Sequence, residues 1–321
     1  MIVLTNVKKN KSIGICAPSD LSDTDSIVLA LGMFDGVHMG HRLLFQKTVE
    51  LADELSSTPS MLTFEHHPSN IIESREKTPI LSTVREKAQL AADCGIRQMI
   101  LMSFDEDMRD MEAEDFINTS ILSMNVAAVV CGYNYRFGKN AKGDHKLLSD
   151  ILGKKGITVA VVDECRLNDV TVNSTLIRRI IQSGDVKDAA RYLCHPYTIG
   201  ASVAHGYQRG TKLGFPTANM VPSEEKCLPP NGVYASVTYV DGTGYPSVTN
   251  IGTNPTYNNT STTVETNIFD FDRDIYDQYI TVCLIEQIRG EKRFSSPEEL
   301  KKQVDVDILT AREISRGYKN M

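Results

Sequence analysis

The sequence predicts two fold classes in one chain: an α/β domain with a doubly wound parallel sheet, then a mainly β domain that forms an antiparallel barrel and ends in a helix. From residue 27 to about 165, short apolar segments of strand length alternate with segments whose apolar residues recur at helical spacing. That alternation is typical of a parallel sheet covered by helices on both faces. From residue 199 to 284, strand-like segments follow one another without a long helix, which favours an antiparallel barrel.

In the first half, the predicted strands are short and apolar, and helices alternate with them. The predicted strands are 27–31, 61–64, 99–102, 126–130 and 157–162. The predicted helices are 43–55, 84–92, 113–124 and 147–152. Because ligands bind at the carboxyl ends of the strands in such sheets, the residues that follow each strand are the candidates for a site.

The second half begins with one more predicted helix, 186–193, and then changes to consecutive strands. The predicted strands are 199–204, 233–240, 247–251, 262–269 and 279–284. Asp241-Gly242 is a hairpin signal, and Ser296 followed by Pro297 is typical of a helix start, so a final helix is predicted to about residue 314. We expect a domain boundary near residue 186, which gives domains 1–186 and 187–321.

Composition excludes several classes of protein. The chain has 321 residues and a net charge of −7 at pH 7, so no broad basic surface favours nucleic acid or an anionic membrane. Its seven cysteines form no Cys-x-x-Cys pair, which makes reduced thiols the default. The first residues turn polar too early for a signal peptide, and no apolar run approaches the ~20 residues of a membrane span. We therefore expect a cytoplasmic protein without nucleic-acid or membrane partners, and the oligomeric state stays open.

Residues 32–41 read Gly-Met-Phe-Asp-Gly-Val-His-Met-Gly-His and lie between a predicted strand and a predicted helix. A glycine turn in that position directs free backbone N–H groups and the positive end of a helix dipole at one point, which suits a phosphate. His38 and His41 are three residues apart, so on a helix they share a face. Two imidazoles and a helix N-terminus can hold a triphosphate, although the segment is not the phosphate loop that contains Gly-Lys-Ser/Thr.

Three later segments of the first half are candidates as well. Residues 63–68 follow a strand and contain a histidine pair. Residues 132–138 combine glycines, aromatic side chains and an arginine, which suit a ring system and its phosphate. Residues 173–178 open a helix with polar capping residues. A purely structural role stays open for each: a solvated histidine pair, a rigid turn with a stacked arginine, or simple helix capping.

Two segments of the second half contain candidate binding or catalytic residues. Residues 206–219 are rich in glycine and basic side chains, so their backbone N–H groups can wrap a phosphate chain. Thr217 and Asn219 offer hard oxygen ligands for Mg²⁺. Glu265 places a carboxylate inside an apolar strand. The alternatives are a long hairpin loop for the first segment and a solvent-facing residue for Glu265.

Residues 32–41 closely resemble the Gly-x-Phe-Asp-Gly-Val-His-x-Gly-His signature of bacterial FAD synthetases, within the nucleotidyltransferase superfamily. Residues 64–68, 132–138 and 173–178 resemble the family's later signatures, Phe-x-x-His-Pro, Gly-x-x-Phe-x-Phe-Gly and Ser-Ser-Thr-x-x-Arg, with Tyr135 and Asn173 as departures. The resemblance implies an ATP site formed by Gly32, Phe34, Asp35, Gly36, His38, His41, Ser174, Thr175 and Arg178. It implies flavin contacts from Phe64, His67, Pro68, Asn134, Arg136 and Phe137. It also implies catalytic roles for His38, His41 and Arg178.

Residues 210–219 resemble the Gly-x-x-Leu-Gly-Phe-Pro-Thr-Ala-Asn signature of riboflavin kinases, and residues 229–235 and 250–256 match that family in the same order. By this resemblance Gly210 and Lys212 bind ATP, Thr217 and Asn219 bind Mg²⁺, and Glu265 is the catalytic carboxylate. The departures are Ala201 for a glycine, Thr211 for a basic residue, and Cys194-His195 for Gly-Arg.

Over nearly its full length the chain is similar to bacterial bifunctional riboflavin kinase/FAD synthetases. The family implies two reactions: ATP phosphorylates riboflavin to FMN, and a second ATP adenylylates FMN to FAD with release of pyrophosphate. The departures around residues 194–211 leave open an FAD synthetase whose barrel is only a flavin-binding or regulatory module. A nucleotidyltransferase for another phosphate, such as a lipid or sugar phosphate, is a further alternative, which the barrel signatures oppose.

Overall fold

The computed structural model describes residues 2–6, 11–21, 26–70, 77–205, 215–256 and 259–318. The chain forms two compact units, Met1–Ser174 and Thr175–Met321. Each unit has its own sheet and its own buried apolar residues.

The first unit is built on one large sheet with two small ribbons. Its strands are β1 Ile2–Asn6, β2 Lys11–Cys16, β3 Ile27–Leu31, β4 Thr58–Phe64, β5 Gln98–Met102, β6 Val126–Gly132, β7 Arg136–Phe137, β8 Gly143–Asp144, β9 Thr158–Val162, β10 Arg166–Leu167 and β11 Val170–Thr171. Seven strands form the large sheet in the order β1-β2-β5-β4-β3-β6-β9. β1 runs antiparallel to β2, and the other six strands are parallel. The predicted doubly wound parallel sheet is confirmed.

Helices cover both faces of this sheet. They are α1 Met39–Glu54, α2 Val84–Asp93, α3 Glu106–Asp110, α4 Ala113–Phe116 and α5 His145–Gly153. The helix predicted over 113–124 is shorter than expected, because α4 gives way to a π-helical turn, Ile117–Ile121. In that turn the Thr119 hydroxyl donates to the Asp115 carbonyl at 2.7 Å, and such a bond competes with regular helix geometry.

The central strand β3 is buried along its whole length and divides the core in two. Leu29 belongs to a cluster that includes Leu148 of α5. Val28 belongs to the other cluster, which includes Phe45 of α1. Successive side chains of a strand point to opposite faces, so a fully apolar β3 can pack helices on both sides.

The order of the strands creates a switch point. From β3 the chain adds β4 and then β5 on one side, and β6 returns to pair with the other side of β3. The carboxyl ends of β3 and β6 are therefore neighbours, with Leu31 opposite Cys131. In open α/β sheets a ligand binds in the crevice at such a point.

The second unit contains two helices, a barrel and a terminal helix. These elements are α6 Ser174–Gln182, α7 Val186–Leu193, β12 Tyr197–Ala204, β13 Ala218–Met220, β14 Gly232–Val240, β15 Thr243–Thr256, β16 Asn259–Ile268, β17 Tyr279–Gly290 and α8 Pro297–Tyr318. The six strands form a closed antiparallel barrel in the order β12-β13-β16-β15-β14-β17. The predicted barrel and terminal helix are confirmed.

The barrel interior is partly polar. Alternate residues of β14, β15 and β16 place five buried hydroxyls together, and these bond to one another at 2.8–2.9 Å: Ser236, Thr238, Ser247, Thr249 and Thr266. Each buried hydroxyl thus has a partner, which avoids the cost of an unsatisfied polar group.

Helix α8 covers the outer face of β14 and β15, where Ala311 packs with Val233 and Val248. A bidentate ion pair fixes the helix: Arg289 of β17 donates to both carboxylate oxygens of Asp307 at 2.8–3.1 Å. The Asp307 side chain is only 4% exposed, so its charge depends on this partner.

We predict that Arg289→Met lowers the free energy of unfolding of the second unit by about 3 kcal/mol, because it leaves a buried carboxylate unpaired. Urea unfolding of the full chain, followed by far-UV circular dichroism, measures the change. The control is Lys187→Met, which breaks an exposed ion pair with Glu286 and should cost less than ~1 kcal/mol. Equal unfolding midpoints for the two variants would contradict the prediction.

Candidate active sites

The segment 32–41 lies at the switch point of the first unit, because it begins where β3 ends. The loop 133–135 begins where the neighbouring β6 ends, and the loop 65–67 begins where β4 ends on the other side of β3. The parallel sheet thus brings three predicted site segments to one edge.

The turn after β3 is tight and strained. Phe34 and Val37 have positive φ angles of 50° and 41°, and both side chains are fully buried. The Phe34 ring packs on Phe45, with ring centroids 4.7 Å apart. A Cβ atom at Gly32 would lie 3.0 Å from that ring, so glycine is needed where the ring folds back beneath the strand end.

Asp35 fastens this turn to a distant segment. Its buried carboxylate accepts hydrogen bonds from the backbone N–H groups of Leu81 and Ser82 at 2.9 Å. The Ser82 hydroxyl accepts a hydrogen bond from the backbone N–H of Gly36 at 2.9 Å. These bonds hold the turn in place. Sequence reasoning missed Leu81 and Ser82, because nothing in their local pattern marks a contact 46 residues away.

The two histidines lie at the start of α1. His38 is the N-cap residue, and its Nδ1 accepts the backbone N–H of His41 at 3.4 Å. The two rings stack, with centroids 3.6 Å apart. Nδ1 of His41 is buried and has no hydrogen-bond partner within the described part of the chain. Burial lowers the pKa of His41 well below its usual 6.5, and the charges of His38 and Lys87 lower that pKa further.

Lys87 is a buried cation next to this pair that sequence reasoning also missed. Its Nζ donates to Thr63 Oγ1 at 3.1 Å and to the Phe64 carbonyl at 3.4 Å. Burial lowers the pKa of Lys87 to about 8, and the Asp35 carboxylate opposes that shift. The available signal was a lysine among the apolar positions of α2, next to Ala88 and one turn before Ala91.

The remaining candidates in the loops differ in exposure. His67 Nδ1 lies 2.6 Å from Ser69 Oγ, which holds the loop that contains Pro68. Phe64 packs edge-on against Phe104 at 5.3 Å. Asn134 is exposed.

In the loop after β6, Arg136 forms an ion pair with Asp144 at 3.2 Å, and Phe137 is buried in the core beside Phe116. The buried Phe137 ring thus anchors this part of the loop to the core. The flavin contacts expected of Asn134, Arg136 and Phe137 stay predictions.

The start of α6 supplies the last candidates. The Ser174 hydroxyl donates to the Asp35 carbonyl at 3.0 Å, which joins it to the turn after β3. Thr175 is exposed and Arg178 is buried, and both belong to the second unit. Their expected ATP contacts stay predictions.

In the barrel, Glu265 lies in a row of polar residues on the outer face. Its neighbours Val264 and Thr266 are buried in the interior, so Glu265 points the other way. It stands opposite Asn219 on β13 and Asn250 on β15. Residues directly opposite in an antiparallel pair have Cβ atoms about 5 Å apart, so Glu265 and Asn219 can act on one ligand.

A cavity of about 320 Å³ opens on the other face of β16, and neither Glu265 nor Asn219 is among the residues that line it. Thr217, Thr266 and Ile268 line it together with the aromatic residues Phe271 and Tyr276. Gly210 and Lys212 lie outside the described residues. In the described ranges, no group of three or more His, Cys, Asp or Glu side chains is arranged to hold a metal ion. Nor does any described helix have the length and apolar character needed to cross a membrane.

Comparisons with known proteins match both halves of the chain. The FAD synthetase family model matches residues 20–176, and the riboflavin kinase family model matches residues 193–315. Bifunctional riboflavin kinase/FMN adenylyltransferases from Bacillus subtilis and Escherichia coli K12 are 34% and 33% identical to this chain. These alignments cover 92% and 90% of this chain, and 96% and 93% of the relatives.

A solved structure described as a macrolide-efflux protein from Streptococcus pneumoniae has the same fold. It superposes with a TM-score of 0.83 at 28% identity, and covers 94% of this chain and 99% of that protein.

Proposed function

The chain belongs to the family of bifunctional riboflavin kinases/FMN adenylyltransferases. We therefore propose that its first unit catalyses adenylyl transfer at the His38–His41 stack and that its barrel catalyses phosphoryl transfer at Glu265. The enzyme phosphorylates riboflavin to FMN and adenylylates FMN to FAD. The riboflavin kinase match over residues 193–315 disfavours the alternative of a barrel that only binds flavin. The observation that carries the proposal is the stacked histidine pair at the start of α1, beside the switch point.

For adenylyl transfer, a phosphate oxygen of FMN attacks the α-phosphorus of ATP, a new P–O bond forms, and the bond to pyrophosphate breaks. The N-terminal backbone N–H groups of α1 face the phosphates and attract their negative charge. His38, His41 and Arg178 would stabilise the charge that develops in the transition state. The buried, unpartnered Nδ1 of His41 supports a role that is completed only when a ligand is present.

ATP would lie along the turn formed by Gly32, Phe34, Asp35 and Gly36, and would contact Ser174 and Thr175. The flavin would lie against the loops that follow β4 and β6, with Phe64, His67 and Pro68 on one side. Asn134, Arg136 and Phe137 would lie on the other side. The adjacency of these loops at the carboxyl edge of the sheet supports that arrangement.

For phosphoryl transfer, the ribityl 5′-hydroxyl attacks the γ-phosphorus of ATP, Glu265 accepts the hydroxyl proton, and the bond from the γ-phosphorus to the β,γ-bridging oxygen breaks to release ADP. Asn219 donates its amide nitrogen to the Thr217 carbonyl at 3.2 Å, and its amide oxygen is the atom that we propose binds Mg²⁺. These hard oxygen ligands fit an ion that is shared with substrate phosphates. Bound Mg²⁺ would neutralise charge on the ATP phosphates, and Gly210 and Lys212 would contact ATP.

The cytoplasmic location expected from the sequence is part of this proposal, because both reactions consume ATP and the chain carries seven cysteines that need a reducing compartment. Subcellular fractionation with an antibody to the chain would test it.

We predict that His41→Ala lowers FAD formation from FMN by about a hundredfold, because loss of one charge-stabilising donor costs roughly 3 kcal/mol. Riboflavin phosphorylation should stay near wild type. The matched control is His145→Ala, a histidine of the same unit whose buried Nδ1 also has no partner among the described residues, and both activities should survive it. A parallel loss of both activities in a folded His41→Ala would show that the two-site assignment is wrong.

We predict that Glu265→Gln lowers riboflavin phosphorylation by at least ~100-fold, because a positioned base contributes about 10²–10⁴ in rate. FAD formation from supplied FMN and binding of riboflavin should persist, since glutamine keeps the shape. Glu286→Gln, which neutralises another strand carboxylate of the barrel, is the control. An equally fast Glu265→Gln would remove Glu265 as the base.

We predict that residues 1–186 form a soluble fragment that adenylylates FMN, because the alternating pattern of strands and helices ends near residue 186. Separation of the flavins by chromatography after incubation with Mg-ATP and FMN measures the product. An insoluble or inactive fragment would place the functional boundary later, after α7, which packs against β12 and β17.

A further inference from the structure

Lys87 is a buried titratable group that neither reaction above uses. Its side chain is 4% exposed, although lysine is almost never fully buried unless it is paired. Its described hydrogen bonds go to a hydroxyl and a carbonyl, and both are neutral acceptors. Within the described residues no carboxylate is among its hydrogen-bond partners, and a buried cation without such a partner weakens the fold. Its place near the switch point therefore calls for a functional account.

The contacts of Lys87 tie two strand ends together. Its Nζ donates to Thr63 Oγ1, and the Thr63 hydroxyl donates in turn to the carbonyl of Met33 at 3.0 Å. Met33 belongs to the turn after β3, and Thr63 and Phe64 end β4. The ammonium therefore fixes the spacing of the two loops on one side of the proposed adenylyl-transfer site.

The positive charge of Lys87 also acts electrostatically on the histidine pair. The titratable groups that face His41 are His38 at the helix N-cap and Lys87 from α2, while the Asp35 carboxylate of the turn faces Lys87. Near neutral pH the imidazole of His41 is uncharged, because burial depresses its pKa. The positive charge near the pair is then the ammonium of Lys87, whose pKa of about 8 leaves it mostly protonated at pH 7.

We propose that Lys87 is a positioning residue for adenylyl transfer, which holds the carboxyl ends of β3 and β4 together and places a fixed positive charge near the His38–His41 pair. That positive charge would stabilise the negative charge that develops around the α-phosphorus of ATP in the transition state. The proposal rests on the assignment of adenylyl transfer to this pair.

The pH dependence of the free energy of unfolding distinguishes this role from a purely structural one. The folded-state pKa of Lys87 lies below the usual 10.5, so between about pH 8 and pH 10.5 the unfolded chain holds a proton that the folded chain has lost. The free energy of unfolding from this group therefore rises with pH across that window. Lys87→Met removes the buried charge, so the variant should be at least as stable as wild type at pH 7, and that rise should disappear.

The test compares wild type, Lys87→Met, Lys87→Arg and Lys47→Met in the full chain. Lys47 is the control because it is an exposed lysine of the same unit. We measure kcat/KM for FAD formation between about pH 6 and pH 9.5, which reports groups of the free enzyme. Riboflavin phosphorylation and thermal unfolding are measured on the same samples.

We expect Lys87→Met to lower FAD formation by at least about tenfold at pH 7, with riboflavin phosphorylation within about twofold of wild type. The wild type should lose FAD formation as pH rises through about 8, because the ammonium loses its proton there. That alkaline limb should be absent in Lys87→Met and should move to higher pH in Lys87→Arg, which keeps its charge.

Three outcomes would overturn the proposal: wild-type FAD formation in Lys87→Met, an alkaline limb that persists in it, or a loss of activity that follows a lower unfolding temperature. His41→Ala distinguishes the failures. If His41→Ala keeps FAD formation, the assignment of the site is wrong. If His41→Ala loses it and Lys87→Met does not, the proposal for Lys87 alone is wrong.

Discussion

The geometry of the first site depends on the carboxylate of Asp35. The turn after β3 holds Phe34 and Val37 at positive φ, and each such residue costs about 1–3 kcal/mol. The hydrogen bonds that Asp35 accepts from backbone N–H groups and the burial of Phe34 offset that strain. These contacts within the protein hold the turn, so the helix N-terminus that we propose binds phosphate would need little reorganisation, and such preorganisation strengthens the electrostatic stabilisation of a transition state.

In the proposed function, the two units control phosphate charge by different structural means. The first would use a helix N-terminus at a switch point, where backbone N–H groups of α1 converge. The barrel has no helix end in its row of Asn219, Glu265 and Asn250. It relies on strand register, which sets these side chains opposite one another. A slip of one residue in β16 would turn Glu265 into the hydroxyl-lined interior.

Sequence reasoning recovered the elements whose signal is local and missed those that depend on distant contacts. Apolar runs such as β3 and the alternation around them predicted both fold classes. The edge strand β1 and its neighbour β2 were missed because their apolar runs are short and interrupted by polar residues or glycine. In the site, the histidines follow from one continuous segment, whereas Ser82 and Lys87 reach it from 46 or more positions along the chain. The interaction partner of Asp35 is a property of the fold, which no window of sequence displays.

The two buried basic side chains near the first site, His41 and Lys87, both lower the free energy of unfolding as pH falls. The folded-state pKa of His41 lies below its usual value, so below about pH 6.5 the unfolded chain binds a proton that the folded chain excludes. Lys87 does the same between about pH 8 and pH 10.5. Each group therefore makes the fold weaker as pH falls through its own window. Nδ1 of the His41 imidazole has no hydrogen-bond partner within the described residues. A negatively charged ligand at the proposed site would bind the folded state and would thereby offset the destabilisation that these buried groups cause.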